Sequence, residues 1–395
     1  MKILNDFDFK GKAVLVRSDL NCDVRVSQVA GRRSQVAKVI ESERVRASAE
    51  TIKELKRKGA RVVVVAHQGR KGKGDFVSLK QHCRLLNKYV KVRFVEDVCG
   101  ALALSEIGKL KGGEVILLEN VRFVADEDKP EKGKRNELYK LVGVCDYFVS
   151  DAFSVCHRAQ ASVVLFPRYL KSFTGRLLER EVDALKKIKL KNCLYVLGGA
   201  KPADNMKLLS AEVRSQKSEV RNKILACGLF GQMCLIASGK NLGAQNKYLK
   251  SVVDGYDGIL KELKGRLKNV EMPIDFAVKV GGRRVELAVE DFPSEYEIFD
   301  IGKKTREKYV GEIKKAKAVF MKGPAGDSAD DKFAKGTVAL LRAVSKVDFS
   351  LIGGGHLNDT IKKYRLKGFG HVSLSGGALL SYIAGEKLPG ILALK

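Results

Sequence analysis

Tryptophan is absent from the 395-residue sequence, and histidine and proline are scarce, at five and seven. No stretch interleaves aromatic with basic residues, so the stacking platform of a single-strand nucleic-acid binder is missing. Eight cysteines stand at 22, 83, 99, 145, 156, 193, 227 and 234, and no two form a C-x-x-C pair. That argues against a zinc site or a disulfide framework and predicts reduced, buried thiols. No apolar run approaches the roughly 18 residues a membrane span needs. The first stretch, "MKILNDFDFKGK", turns acidic within six residues and lacks the apolar segment of a leader. These two absences predict a cytoplasmic protein with no membrane partner. Neither G-x-x-x-x-G-K-[ST] nor a clean G-x-G-x-x-G follows a strand-like run, so the usual phosphate-loop and dinucleotide fingerprints are not supported.

Positive charge is in excess. There are 74 Lys and Arg against 46 Asp and Glu, a net +28. Such a balance can draw nucleic acid or small anions. The basic residues are spread along the chain without a basic tail, which reads as solvated helix faces. The length exceeds what one core usually holds, so two domains are expected.

Short apolar runs recur, each followed by a turn and a longer helical segment: "KAVLVRSDLN", "ARVVVVAHQGR", "GEVILLENVR", "CDYFVSDAF", "NCLYVLGGAK", "NKILACGLFG", "KAVFMKGPAG" and "DFSLIGGGH". Runs this continuous suit strands covered on both faces. Between them lie stretches such as "RVRASAETIKELKRKG", where Ala47, Ile52 and Leu55 form an apolar stripe and Gly59 marks a stop. The alternation predicts an α/β protein of two doubly wound parallel-sheet, Rossmann-like domains. "FTGRLLEREVDALKKIKLKN", 173–192, reads as one amphipathic helix, with Leu177, Leu178, Val182, Leu185 and Ile188 at helical spacing. It is an ordinary surface helix or a hinge helix joining the two domains.

Ligands of open parallel sheets bind beyond the carboxyl ends of the strands. In the first half those ends offer Arg17, Asp19 and Asn21, then His67 and Arg70, then Arg122, then Asp151, His157 and Arg158, with Arg44 before the first clear helix. Repeated arginines on one rim suit a small molecule bearing phosphate or carboxylate, whose oxygens the guanidinium fork matches. The second half offers glycines instead, at 197–201, 227–231, 322–326, 353–356 and 375–377. Glycine lets backbone N–H groups approach phosphates, and Lys201 adds a mobile cation. An anionic substrate on one half and a polyphosphate on the other imply phosphoryl transfer.

The motifs occur in the order of a known family. "RSDLN", "ERVRA", "VVAHQGRKGKG", "GEVILLENVRF", "SDAFSVCHRAQAS", "LGGAK", "IGKKT", "KGPAG", "FAKGT", "LIGGG" and "HVSLSGGA" together resemble phosphoglycerate kinase nearly end to end, and "GRLLEREV" resembles its archaeal members. The resemblance implies reversible phosphoryl transfer between 1,3-bisphosphoglycerate and ADP, giving 3-phosphoglycerate and ATP, with Mg2+ carried by the nucleotide. It implies a substrate pocket of Arg17, Asp19, Asn21, Arg44, His67, Gln68, Gly69, Arg70, Arg122, His157 and Arg158. It implies nucleotide contacts from Gly198, Gly199, Ala200, Lys201, Asn205, Gly228, Pro324, Gly354, Gly355 and His356, with Arg44 and Lys201 catalytic. It implies a substrate domain over 1–172, a hinge helix over 173–192, a nucleotide domain over 193–374, and a segment 375–395 that returns to the first domain. A monomer is expected. Asp151 is expected either to orient a basic neighbour or to cap a helix.

The sequence also departs from the family. Leu20, Gln68 and Gln160 stand where phenylalanine, leucine and histidine are common. Asn205 stands where many members carry a second lysine, and Lys322 where they carry the asparagine of Asn-Gly-Pro. Ala329 takes the place of the glutamate that commonly holds the ribose. His356 takes the place of the acidic residue associated with magnesium, which leaves the metal ligands unassigned. Leu374-Ser375-Gly376-Gly377 replaces a Thr-Gly-Gly-Gly turn. Two alternatives remain open at this point: a relative with altered phosphotransfer, and a basic nucleic-acid-binding protein that would show steep salt dependence.

Overall fold

The computed structural model describes residues 1–28, 35–187, 192–214 and 222–395. Contacts divide the chain into two units. The first holds Met1–Asp183 and Lys387–Lys395, the second Ala184–Glu386.

In the first unit the strands are β1 (Ala13–Ser18), β2 (Val24–Gln28), β3 (Gln35–Val39), β4 (Arg61–Val65), β5 (Arg93–Val95), β6 (Val115–Leu118), β7 (Tyr147–Asp151) and β8 (Lys171–Thr174). Six of them form one sheet in the order β5-β6-β4-β1-β7-β8, and every pairing is parallel. Val14, Leu15 and Val16 are buried without alternation, as are Val62 to Val65, because both sheet faces are covered. Helix α1 (Glu43–Arg57) lays Val45, Ala49, Ile52 and Leu55 on this core. Full burial of one such side chain contributes about 1.5–3 kcal/mol. The last residues join this unit through Gly390, whose N–H donates to the Cys156 carbonyl at 2.9 Å.

The second unit contains β9 (Leu194–Leu197), β10 (Ile224–Ala226), β11 (Val270–Glu271), β12 (Asp275–Val280), β13 (Arg283–Ala288), β14 (Ile298–Ile301), β15 (Ala318–Lys322), β16 (Phe349–Gly353) and β17 (His371–Ser373). Its main sheet runs β11-β10-β9-β15-β16-β17, again all parallel. All eight apolar runs read from the sequence are therefore strands. A second sheet, β13-β12-β14, is antiparallel. Strand–helix alternation does not foresee it. Gly281 and Gly282, both at positive φ, do signal its hairpin. The chain's eight thiols are buried and free.

Helix α2 spans Arg176–Lys187, so the helix expected over 173–192 begins three residues later. Phe173 and Thr174 close β8 instead. Phe173 stacks edge-on with Phe7, Phe9 and Tyr147, and strand pairing with β7 outweighs the local helical period. Residues 188–191, including Ile188 of the expected stripe, lie outside the described residues. The units meet in sequence inside α2, at Asp183–Ala184. Four further helices matter below: α3 (Pro202–Arg214), α4 (Gly228–Ala237), α5 (Ala244–Val252) and α6 (Gly355–Lys363).

Candidate functional site

Arg17 is the penultimate residue of β1 and is 1% exposed. Its Nε donates to the Ser162 hydroxyl at 2.9 Å and its Nη1 to the Ser18 carbonyl at 2.8 Å. Its Nη2 lies 3.1 Å from Nδ1 of His67. A guanidinium can only donate, so Nδ1 accepts, and the neutral imidazole carries its proton on Nε2. Burial holds His67 well below the ordinary imidazole range, and the charges of Arg17, Arg122, Arg44 and Arg158 push the same way. His67 is thus a neutral donor among four arginines rather than a fifth cation.

The other strand ends complete the cluster. Asn21 accepts from the Gly69 N–H at 2.9 Å, and the Gly69 carbonyl accepts from Arg122. Gly69 sits at φ +67°, and a Cβ there would lie 2.1 Å from the Asp75 carbonyl oxygen, so only glycine fits. Arg44 donates to Asp19 at 3.2 Å. The Nε of Arg158 donates to Nε2 of His157 at 3.3 Å. Arg70, Arg122 and Arg158 line one cavity of about 540 Å³, together with Lys71, Glu127, Asp128 and Gln160. Burial lowers Arg122 to about 10, with Arg158 and Arg17 adding repulsion. Glu127 and Asp128 in the same wall offset part of the repulsion among the three guanidiniums, and an entering anion would offset more of it.

Several residues carried over for this pocket lie off its wall. Arg17, Asp19, Asn21 and His67 support it without lining it. Gln68 is fully buried. Its amide donates to the carbonyls of Cys22 and Asp75, and its oxygen accepts from the Cys22 N–H, so the side chain is used in holding loops. Glu127 was not legible beforehand. It accepts from the Ser162 N–H at 3.0 Å and hydroxyl at 2.7 Å, and burial pushes it up to about 7 against the pull of Arg17. Asp151 proves to be a helix cap: it accepts from the N–H groups of Leu177 and Leu178 at the start of α2.

In the second unit the glycine loops pack on one another. The N–H of Gly198 donates to the Lys322 carbonyl at 2.7 Å, that of Gly199 to Pro324 at 2.8 Å and that of Gly228 to Ala325 at 3.1 Å. A Cβ on Gly228 would lie 2.7 Å from both the Gly199 nitrogen and the Pro324 oxygen. These glycines serve close loop packing, so their amides are not available to phosphates. Gly354 differs: at φ +113° it has open space where a Cβ would be, and it precedes Gly355 and His356 at the N-terminus of α6.

Gly199, Ala200, Gly228, Pro324 and His356 line a cavity of about 350 Å³. Gly198, Lys201, Asn205, Gly354 and Gly355 do not line it. Lys201 is exposed just before α3. Asn205 is buried and donates to the Gly198 carbonyl at 3.0 Å. Its side-chain oxygen accepts from the Lys322 ammonium at 3.1 Å, and Asp204 lies 3.2 Å from the same ammonium. The cavity adds residues the sequence did not single out: Gln232, Tyr248, Glu297 and Asp327. Ala329 lines it as well, whereas Asp330 and Asp331 do not.

The family model for phosphoglycerate kinase matches residues 4–386. Phosphoglycerate kinase of Pyrococcus furiosus is 39% identical over 409 residues, covering 99% of this chain and 97% of that protein. The enzyme of Methanothermus fervidus is 35% identical over 407 residues, covering 99% and 96%. A crystal structure of phosphoglycerate kinase from Pyrococcus horikoshii OT3 superposes with a TM-score of 0.88 at 35% identity, covering 100% of this chain and 98% of that one. The structure from Coxiella burnetii gives 0.75 at 28% identity, covering 99% and 98%.

Proposed function

The chain belongs to the phosphoglycerate kinase family, and on that premise we propose how its residues divide the work. The reaction is transfer of a phosphoryl group to and from a carboxyl group. The 3-phosphoglycerate carboxylate attacks the terminal phosphorus of ATP, the bond to the ADP oxygen breaks, and an acyl phosphate forms. A carboxylate is already a nucleophile at neutral pH, so no general base is needed. That agrees with a neutral His67 serving as donor. What the reaction needs is positioning and neutralised charge.

The observation that carries the reading is the convergence of Arg70, Arg122 and Arg158 on one cavity, with Arg17 and His67 behind them. In this reading the three arginines hold the substrate phosphate and carboxylate. Arg17, Asp19, Asn21, Gln68, Gly69 and His157 fix the orientation of the groups that touch it. Arg44, anchored on Asp19, meets the transferring phosphoryl group, where charge develops. The nucleotide binds the second unit. The loops at 198–201, 228 and 324 form its bed, Asn205 supports the first of them, and Lys201 and the turn Gly354–His356 meet its phosphates.

Magnesium would arrive with the nucleotide and shield its phosphate charge. Among the described residues no group of three His, Cys, Asp or Glu could hold a metal alone. Magnesium does not require one, since it commonly takes one or two carboxylates plus substrate oxygens and water. Asp327, in the wall of the second cavity, is the carboxylate suited to it. The domain limits near 172, 192 and 374, the hinge role of the helix, a monomeric state and a cytoplasmic site remain part of this reading. Among the described residues no helix is long and apolar enough to cross a membrane.

Calorimetry with 3-phosphoglycerate tests the substrate half. One site per chain, insensitive to added nucleic acid, is the expected result. Absence of binding at millimolar ligand would overturn the assignment.

A further inference from the structure

The second cavity carries an unassigned polar contact. Its described wall contains no lysine or arginine; its charged residues are Glu297 and Asp327. Without a lysine or arginine this wall does not hold phosphates directly, so beyond Asp327 and His356, which the reading above turns toward the nucleotide's magnesium and phosphates, the cavity suits the uncharged end of a nucleotide. Leu229, Tyr248 and Phe299 offer apolar faces to a flat ring.

Gln232, on α4, is 3% exposed and lines this space. Its orientation is determined by a chain of two bonds. The backbone N–H of Ile298 donates to the side-chain oxygen of Gln245 at 2.8 Å. A backbone N–H can only donate, so that end of Gln245 must be its oxygen. Its amide nitrogen therefore faces Gln232 and donates to the Gln232 oxygen at 2.8 Å. The NH2 of Gln232 is what remains. Among the described residues it has no protein partner, and it is not one of the sealed polar atoms. A buried carboxamide with a fixed oxygen thus presents its donor end to the cavity.

We propose that Gln232 is the base-reading residue of the nucleotide site, its NH2 donating to a ring acceptor of the nucleobase. This rests on the nucleotide reading above. For adenine the candidates are N1, N3 and N7. A donor left unmatched in a closed pocket is costly, so the contact selects for rings that carry an acceptor at the facing edge. Gln245 and the β14 backbone act as its positioning partners.

Gln232→Glu is the discriminating variant. It keeps the oxygen that Gln245 needs and turns the free donor into an acceptor. Binding of ADP, of 1-, 3- and 7-deaza-ADP and of tripolyphosphate is measured by calorimetry for both proteins, with melting temperature in parallel. Wild type is expected to bind one of the three analogues about tenfold more weakly than ADP, the loss of one hydrogen bond. Gln232→Glu is expected to bind ADP about tenfold more weakly, to lose discrimination against that analogue, and to bind tripolyphosphate as wild type does. Equal ADP binding by both proteins would overturn the proposal, as would wild-type indifference to all three analogues. A parallel fall in tripolyphosphate affinity would assign Gln232 a structural role and overturn it too. Failure of wild type to bind ADP at all would instead sink the nucleotide reading, and this inference with it.

Discussion

The ammonium of Lys322 lies 3.1 Å from the side-chain oxygen of Asn205. Read from the sequence, these were two separate departures: a missing lysine at 205 and a missing asparagine at 322. In space the two positions touch, the cation carried by β15 and the carboxamide by α3, as an exchange of the two side chains expected from the family resemblance would leave them. The pair still places one ammonium and one carboxamide at the N-terminus of α3, beneath the loop that Gly198 opens. Burial lowers the Lys322 pKa, and Asp204 opposes that shift. Lys322→Asn should therefore weaken ADP binding by roughly tenfold, and adding Asn205→Lys should restore most of it. Failure of the double variant to recover, with its fold intact by circular dichroism, would refute the exchange.

Arg44 is set on Asp19 at the edge of the substrate cluster. Its proposed contact strengthens as charge develops in the transition state. Arg44→Ala should lower kcat by about 10²–10³-fold with a much smaller change in KM. Steady-state kinetics in both directions measure this split. A rise in KM alone would place Arg44 in ground-state binding.

Arg122 and Arg158 face the same cavity and repel each other. Each should contribute charge-assisted bonds to the substrate. Either alanine variant should weaken 3-phosphoglycerate binding by roughly 10–100-fold, read by calorimetry. Undiminished binding in both would exclude the cavity as the substrate site.

Asp151 gives a pH signature. Burial raises it to about 7, against the amides of Leu177 and Leu178 and the Thr51 hydroxyl. Its unfolded value is about 4. Between those values the native state binds more protons than the unfolded one, so this group's contribution to stability falls as pH rises from about 4 to about 7. Asp151→Asn keeps an oxygen to cap α2 and removes the buried charge. Its stability relative to wild type should climb across that window, by a few kcal/mol at most. Urea titrations at a series of pH values would show it. A difference constant with pH would mean that Asp151 is ionised throughout.

His356 stands in the first turn of α6, at a position where the family resemblance implies an acidic residue. Nitrogen is a poor partner for magnesium. His356→Asp should lower the magnesium needed for half-maximal activity and leave 3-phosphoglycerate binding unchanged. An unchanged or higher requirement would remove His356 from the metal side of the site.

The sequence made the sheets legible because their strands are continuous apolar runs, such as Val62–Val65, and both faces are covered. It made the arginine rim legible because strand ends project onto one side. It could not separate Arg122, which lines the cavity, from Arg17, which is spent on Ser162, Ser18 and His67. Both come at the carboxyl end of an apolar run, and only burial tells them apart. Gln68 entered the expected pocket only through the family resemblance, and its buried carboxamide is taken up by the loops at Cys22 and Asp75. Glu127 and Gln232 carried no signal, since a lone carboxylate or carboxamide in a loop or helix is ordinary until its partners are known. Phe173 and Thr174 were lost to β8 because pairing with β7 is a long-range event that local periodicity does not see.

The central claim, phosphoryl transfer by this chain between an acyl phosphate and ADP, is tested most directly by incubating purified protein with 1,3-bisphosphoglycerate, ADP and magnesium and following ATP by a coupled assay. The account predicts ATP formed in equal amount to 3-phosphoglycerate, at a rate proportional to protein and abolished by omitting ADP. A folded protein that yields no ATP above the uncatalysed breakdown of 1,3-bisphosphoglycerate would contradict it.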